Sequence, residues 1–234
     1  MKILVWDIPT RLFHWLFAVA FAVAYIAGEE ESLMPVHVFA GLLILVLIAF
    51  RLAWGLLGSR YAQFRSFLFS PLAAMRYLVE MVRGKARHFV GHNPAGSWAI
   101  YGLLLLGAAS SITGLMTLLS GESYKEIHEV FTNAMLVLVI AHIIGVVAGS
   151  LVHKEHLAKS MVNGYKQGNA EDGIPSPRYL GAVILLVLVA GFGGIFLNGY
   201  DAAQKTLKLP FISQPLNLAH EEHEHGEHNH DHED

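Results

Sequence analysis

Cysteine is absent from all 234 residues. That excludes disulfides, thiolate-held iron–sulfur clusters, covalently attached c-type haem and a cysteine nucleophile. Charge is scarce too, since Asp, Glu, Lys and Arg make up 15% of the chain against about 25% in an average soluble domain. No P-loop, GxGxxG, GxSxG or HExxH pattern occurs, which removes the commonest soluble catalysts. A net charge of −3 is no nucleic-acid signature, so no nucleic-acid partner is expected. What is plentiful is apolar surface, at 54% hydrophobic residues and a mean hydropathy of +0.46, together with 14 histidines. These values describe a membrane protein whose metal-ligand resource is histidine.

Five apolar segments have spanning length: residues 10–28, 35–57, 96–119, 126–151 and 178–198. As helices rising about 1.5 Å per residue, each crosses a hydrocarbon core of about 30 Å. Only a helix satisfies the backbone of an isolated span in lipid. The first segment has the look of a leader, with Met1-Lys2 ahead of it and Ala22-Val23-Ala24 inside it, but Asp7, Arg11 and His14 interrupt that pattern. Outside the spans, thirteen Lys and Arg fall on one side and three on the other. The positive-inside rule then sets the N-terminus in the cytoplasm and the C-terminus outside. Within the basic loop, Ser70-Pro71 predicts the start of a helix in the headgroup layer. Arg76, Glu80, Arg83 and Arg87 share one stripe of it, beside Leu72, Met75, Val79 and Val82.

Four histidines fall in the spans: His14, His37, His128 and His142. A single one is most simply a hydrogen-bonded neighbour of another helix or an interfacial residue. Four together form a pattern. His128 and His142 are 14 residues apart on one helix, about four turns, so they face one way with about 21 Å between them. By depth, His37 partners His128 and His14 partners His142. Each pair would serve a haem iron as two axial imidazoles, whereas two ligands per level leave zinc incomplete. Gly41 after His37, Gly145 after His142, and Gly102, Gly107 and Gly114 in the third span leave room for a flat macrocycle, or simply for close helix packing.

The stretches VWDIPTRLFHW, HVFAGLLILVLIAFRLAWGLLGSRYAQF, GHNPAGSWA, HEVFTNAMLVLVIAHIIGV and HKEHLAKSMVNGYKQG resemble, in order, the bacterial cytochrome b-561 and nickel–iron hydrogenase b-type cytochrome family. The resemblance covers about residues 4–168. It implies an all-α integral membrane fold, a four-helix transmembrane di-haem bundle, to which this chain adds a fifth transmembrane helix as the longer members do. It implies two haem b groups, His14 and His142 on the inner one and His37 and His128 on the outer. It also implies electron exchange between quinone and a periplasmic redox partner, either a hydrogenase-type dehydrogenase or a cytochrome c. Residues 1–168 are then the di-haem domain, 169–200 a linker with the fifth helix, and 201–234 an exterior disordered tail.

Arg11 and Arg51 stand where haem propionates or a quinone headgroup would need them, or where arginine snorkels to the interface. His92-Asn93-Pro94 reads first as a helix cap. Trp6, Trp15, Trp54 and Trp98 read as interfacial anchors, and His88, His153 and His156 as solvated loop residues. The run from His220 to Asp234 packs six histidines and seven acids into fifteen residues, too polar for a core and suited to loose capture of Ni²⁺, Zn²⁺ or Cu²⁺ or to a basic cytochrome. Two other readings stand beside the electron carrier. One is a histidine-based metal transporter, which leaves the depth-matched pairs unexplained. The other is a quinol-dependent superoxide oxidase resembling the shorter family members, which would work without a protein partner.

Overall fold

The computed structural model describes residues 1–218. Calls on the His- and acid-rich run 220–234 lie outside the described residues. The elements in chain order are β1 (Lys2–Leu4), α1 (Ile8–Ala27), α2 (Met34–Leu57), α3 (Pro71–Val82), α4 (Pro94–Ser120), α5 (Lys125–His153), α6 (Leu157–Asn163), β2 (Tyr165–Gln167), α7 (Tyr179–Gly199), β3 (Tyr200–Asp201), β4 (Thr206–Leu207) and β5 (Leu216–Asn217). Among the described residues five helices, α1, α2, α4, α5 and α7, are long and apolar enough to cross a membrane, and the protein is multi-pass.

The helix ends follow from local chemistry. Asp7 caps α1, its carboxylate accepting from Thr10 N, with Pro9 in the first turn. Ser70 caps α3 ahead of Pro71, and Asn93 caps α4 ahead of Pro94. Each cap satisfies an amide with no intrahelical partner, at about 1 kcal/mol apiece. The stripe expected to run to Arg87 is cut short. Helix α3 ends at Val82, and Gly84 turns the chain at φ 66°, so Arg87 leaves the helix face. Leu72, Met75 and Val82 are exposed while Ala74 and Tyr77 face inward, as a helix lying on lipid requires.

Helices α1 and α2 form one hairpin and α4 and α5 another; α2 meets α4, and α7 lies against α1 and α2. The shared core holds Phe13, Phe21, Leu47, Phe50, Leu104, Met135 and Leu185. Helix α5 packs along α4 but not closely along α1 or α2, so a slot separates it from the first hairpin. Gly181 lets α7 in: a Cβ there would lie 2.4 Å from the Trp54 ring.

Small sheets close both ends. Lys2, Ile3 and Leu4 of β1 pair antiparallel with Gln167, Lys166 and Tyr165 of β2, over a cluster of Ile3, Val5, Trp6, Tyr61 and Ile174. At the opposite end β3, β4 and β5 form an antiparallel sheet whose Leu207 and Leu216 pack with Val38, Leu42 and Phe196. The tail expected to be disordered from residue 201 is therefore folded through Leu218. Three buried leucines, Leu207, Leu216 and Leu218, repay the ordering of short strands that carry little periodic signal.

Candidate functional site

The four histidines of the spans come together as two pairs. His14 of α1 and His142 of α5 have ring centroids 6.5 Å apart with planes at 55°. His37 of α2 and His128 of α5 have centroids 6.0 Å apart with planes at 90°. Both pairs bridge the slot between α5 and the first hairpin. Among the described residues no three or more His, Asp or Glu side chains converge to hold an ion.

The second pair is held from behind. His37 Nδ1 lies 2.7 Å from the Ala24 carbonyl and His128 Nδ1 lies 2.8 Å from the Ser110 carbonyl. A carbonyl only accepts, so each Nδ1 carries the proton and donates it. The Nε2 lone pair is left free, the tautomer a metal-binding imidazole needs. Gly28 and Gly114 seat these rings, since a Cβ on Gly28 would stand 2.9 Å from His37 Nδ1 and one on Gly114 3.0 Å from His128 Cε1. In the first pair His14 Nδ1 is buried with no hydrogen-bond partner among the described residues, beside Trp15 at 5.0 Å.

The glycines divide. A Cβ on Gly41 or Gly145 would meet nothing within 4 Å among the described residues. Gly102 instead faces Leu138, Gly107 faces Phe17 and Ile48, and Gly114 faces His128. Of the two readings of the α4 glycines, close packing is the one these neighbours fit, with Gly114 a seat for histidine.

Arg51 does not snorkel. It is 3% exposed, donates to the Ala62 carbonyl at 3.0 Å and stacks 4.7 Å from the centroid of Phe64. Arg11 donates through Nη1 to the Val162 carbonyl, while its Nε is buried without a partner among the described residues. Trp15 and Trp98 are partly exposed, as anchors are, but Trp6 and Trp54 are internal struts: Trp6 Nε1 donates to Ser160 Oγ and Trp54 Nε1 to Asp7. Fully buried Asp7 also accepts from Ser59 N, a role sequence reasoning missed although a lone carboxylate before a span is a visible signal.

The Asn93 cap forms as expected, Oδ1 accepting from Gly96 N at 2.7 Å. Its neighbour does more. The His92 ring sits 4.6 Å from Trp6 and 4.4 Å from Phe67, and burial, with Arg51 and Lys166 nearby, pushes its pKa down to about 3. It stays neutral at physiological pH. Of the three histidines expected to be solvated, His156 is exposed, but His88 meets Glu155 at 3.1 Å, where Lys166 meets the same carboxylate at 3.3 Å, and His153 bonds the Tyr77 hydroxyl.

A sequence model of the family described as prokaryotic cytochrome b561 matches residues 5–164. A probable Ni/Fe-hydrogenase B-type cytochrome subunit of Rhodobacter capsulatus is 20% identical over 215 residues, covering 70% of this chain and 81% of the relative. A probable Ni/Fe-hydrogenase 1 B-type cytochrome subunit of Escherichia coli K12 is 21% identical over 213 residues, covering 69% and 89%. The corresponding subunit of Azotobacter vinelandii is 21% identical, covering 69% and 87%. No solved structure matches the chain significantly.

Proposed function

Since the chain belongs to the prokaryotic cytochrome b561 family, we propose that it carries electrons across the membrane on two b-type haems, each held by one histidine pair. The family is one of b-type cytochromes and implies electron transfer and b-type haem; the count of two, the ligands and the partners are our reading. The observation that carries it is the pair of facing imidazoles, 6.5 and 6.0 Å between centroids, in a slot where α5 stands off from α1 and α2. A metal–imidazole bond of about 2 Å puts two trans rings roughly 6 Å apart. The open backbone at Gly41 and Gly145 and the orphaned Nδ1 of His14 fit a planar group entering that slot.

Bound haem supplies one-electron chemistry at iron. The chain does the rest. Ala24 and Ser110 orient His37 and His128 and raise their basicity through the Nδ1 protons. Gly41 and Gly145 leave space, the buried Nε of Arg11 is a free donor suited to a carboxylate such as a propionate, and Arg51 holds positive charge in the interior at the same end. If each haem were held by both histidines of its pair, the iron would keep no open position and would serve as an electron relay.

In this reading the N-terminal, basic end is cytoplasmic, the protein lies in the bacterial inner membrane, and it exchanges electrons with the quinone pool. Its protein partner is a periplasmic hydrogenase-type enzyme, as the names of its relatives suggest, or a cytochrome c. The deciding test is a pyridine haemochrome assay with a reduced-minus-oxidised spectrum on detergent-purified protein. Two non-covalent b haems per chain, low-spin, are expected. Folded but colourless protein from a haem-replete host would sink the proposal.

A further inference from the structure

At the basic end, away from the histidine pairs, the loop after α2 and the residue ahead of α7 form a cleft of about 480 Å³ lined by Ser59, Arg60, Gln63, Arg65, Ser66 and Arg178. We propose that this cleft binds the phosphate headgroup of an anionic glycerophospholipid. Three arginines reach it from segments more than a hundred residues apart, and no carboxylate lines it. Ion pairing does not consume the guanidinium groups: Arg65 Nε donates to Gln63 Oε1 at 2.7 Å, which leaves its terminal nitrogens, and Arg60 lies over the Tyr61 ring at 5.3 Å. Planar guanidinium forks match phosphate oxygens in a way that ammonium groups do not.

A second observation is independent of charge. Ser59 is 4% exposed, and its Oγ is buried with no hydrogen-bond partner among the described residues. That hydroxyl is a spare hydrogen-bond donor beside the cleft, which a phosphate oxygen would satisfy once the Ser59 side chain turns toward it. Helix α2 ends beside the cleft with Leu56 and Leu57 exposed at 73% and 78%, and α7 begins beside it with Tyr179 and Leu180 at 69% and 73%. Those exposed apolar side chains adjoin the cleft's lining residues in sequence, so a headgroup in the cleft would have an apolar wall for its acyl chains. That continuity favours a lipid over free phosphate, and basic pockets between helices at the membrane surface recognise lipid headgroups in this way.

The test titrates the full chain, in neutral detergent and checked as folded by circular dichroism, with dioleoylphosphatidylglycerol, dioleoylphosphatidylcholine or inorganic phosphate, and counts bound ligand by native mass spectrometry. One tight phosphatidylglycerol, preferred over phosphatidylcholine, is expected. Arg65→Gln with Arg178→Gln weakens it by about fivefold for each arginine removed, while Arg76→Gln on α3 with Arg83→Gln just after it leaves it unchanged. Arg65→Gln alone, at an exposed position, serves if the pair fails to fold. Equal binding of the two lipids, equal loss with the α3 variants, or no loss with the cleft variants overturns the proposal. Inorganic phosphate binding as tightly as phosphatidylglycerol overturns the lipid assignment.

Discussion

The carboxylate of Asp7, which caps α1, also accepts the indole N–H of Trp54 at 3.1 Å, 47 residues later at the end of α2. One buried group therefore ends one span, anchors a second through the indole, and through Ser59 N holds the start of the loop that follows. Removing it uncaps α1 and strands a buried N–H. Asp7→Ala is expected to cost about 2–4 kcal/mol, combining a lost cap with an unmet donor, and to lower the thermal midpoint in detergent. Asp7→Asn keeps an acceptor and should lose less.

The histidine pairing makes a prediction by elimination. His14→Ala and His142→Ala should each remove the same haem, and His37→Ala and His128→Ala the other, read as half the haemochrome signal with one of two reduced α bands missing. If His14→Ala and His37→Ala lost the same band, pairing by depth would be wrong.

Gly114 backs His128: the three heavy atoms nearest its ideal Cβ all belong to that ring. A side chain there must push on a ring already 3.0 Å from the ideal Cβ. Gly114→Val should therefore weaken occupancy of the His37–His128 site and shift its band, while the other band stays. Gly41→Ala, where the backbone faces open space, is expected to leave the helices folded and to lower haem content only.

Acid should act at the basic end through Glu155. Burial alone would raise its carboxyl, but Lys166, His88 and the Gln167 amide outweigh burial and hold it below its ordinary 4.5. A carboxyl lower in the folded than in the unfolded state stabilises the fold above its unfolded value and loses that contribution as pH falls through the folded one. Thermal stability should thus decline below pH 4.5, and less steeply in Glu155→Gln; equal slopes would refute the assignment.

The spans were legible because their signals are redundant: length, the Asn93-Pro94 cap and apolar runs agree with one another, and the ends lie within a few residues of expectation. The depth match of His37 with His128 and His14 with His142 followed from helix arithmetic, which needs no contact information. What sequence missed depends on neighbours. Whether Trp54 faces lipid or Asp7, or Arg51 solvent or Phe64, is decided by a loop folding back beneath the bundle. The sheet begun at Tyr200 rests on leucines that the ends of α2, α4 and α7 bury together. Gly102 and Gly41 look alike in sequence and differ only in what stands opposite.

The pairing of β1 with β2 also sets an order of assembly. Lys2–Leu4 is made well before its partner Tyr165–Gln167, which follows α5. At about 5–20 residues per second, the first strand waits roughly 10–30 s for it. The floor of the bundle therefore latches only after four of the five spans have been made, and a chain stalled before residue 165 would have its β1 edge unpaired.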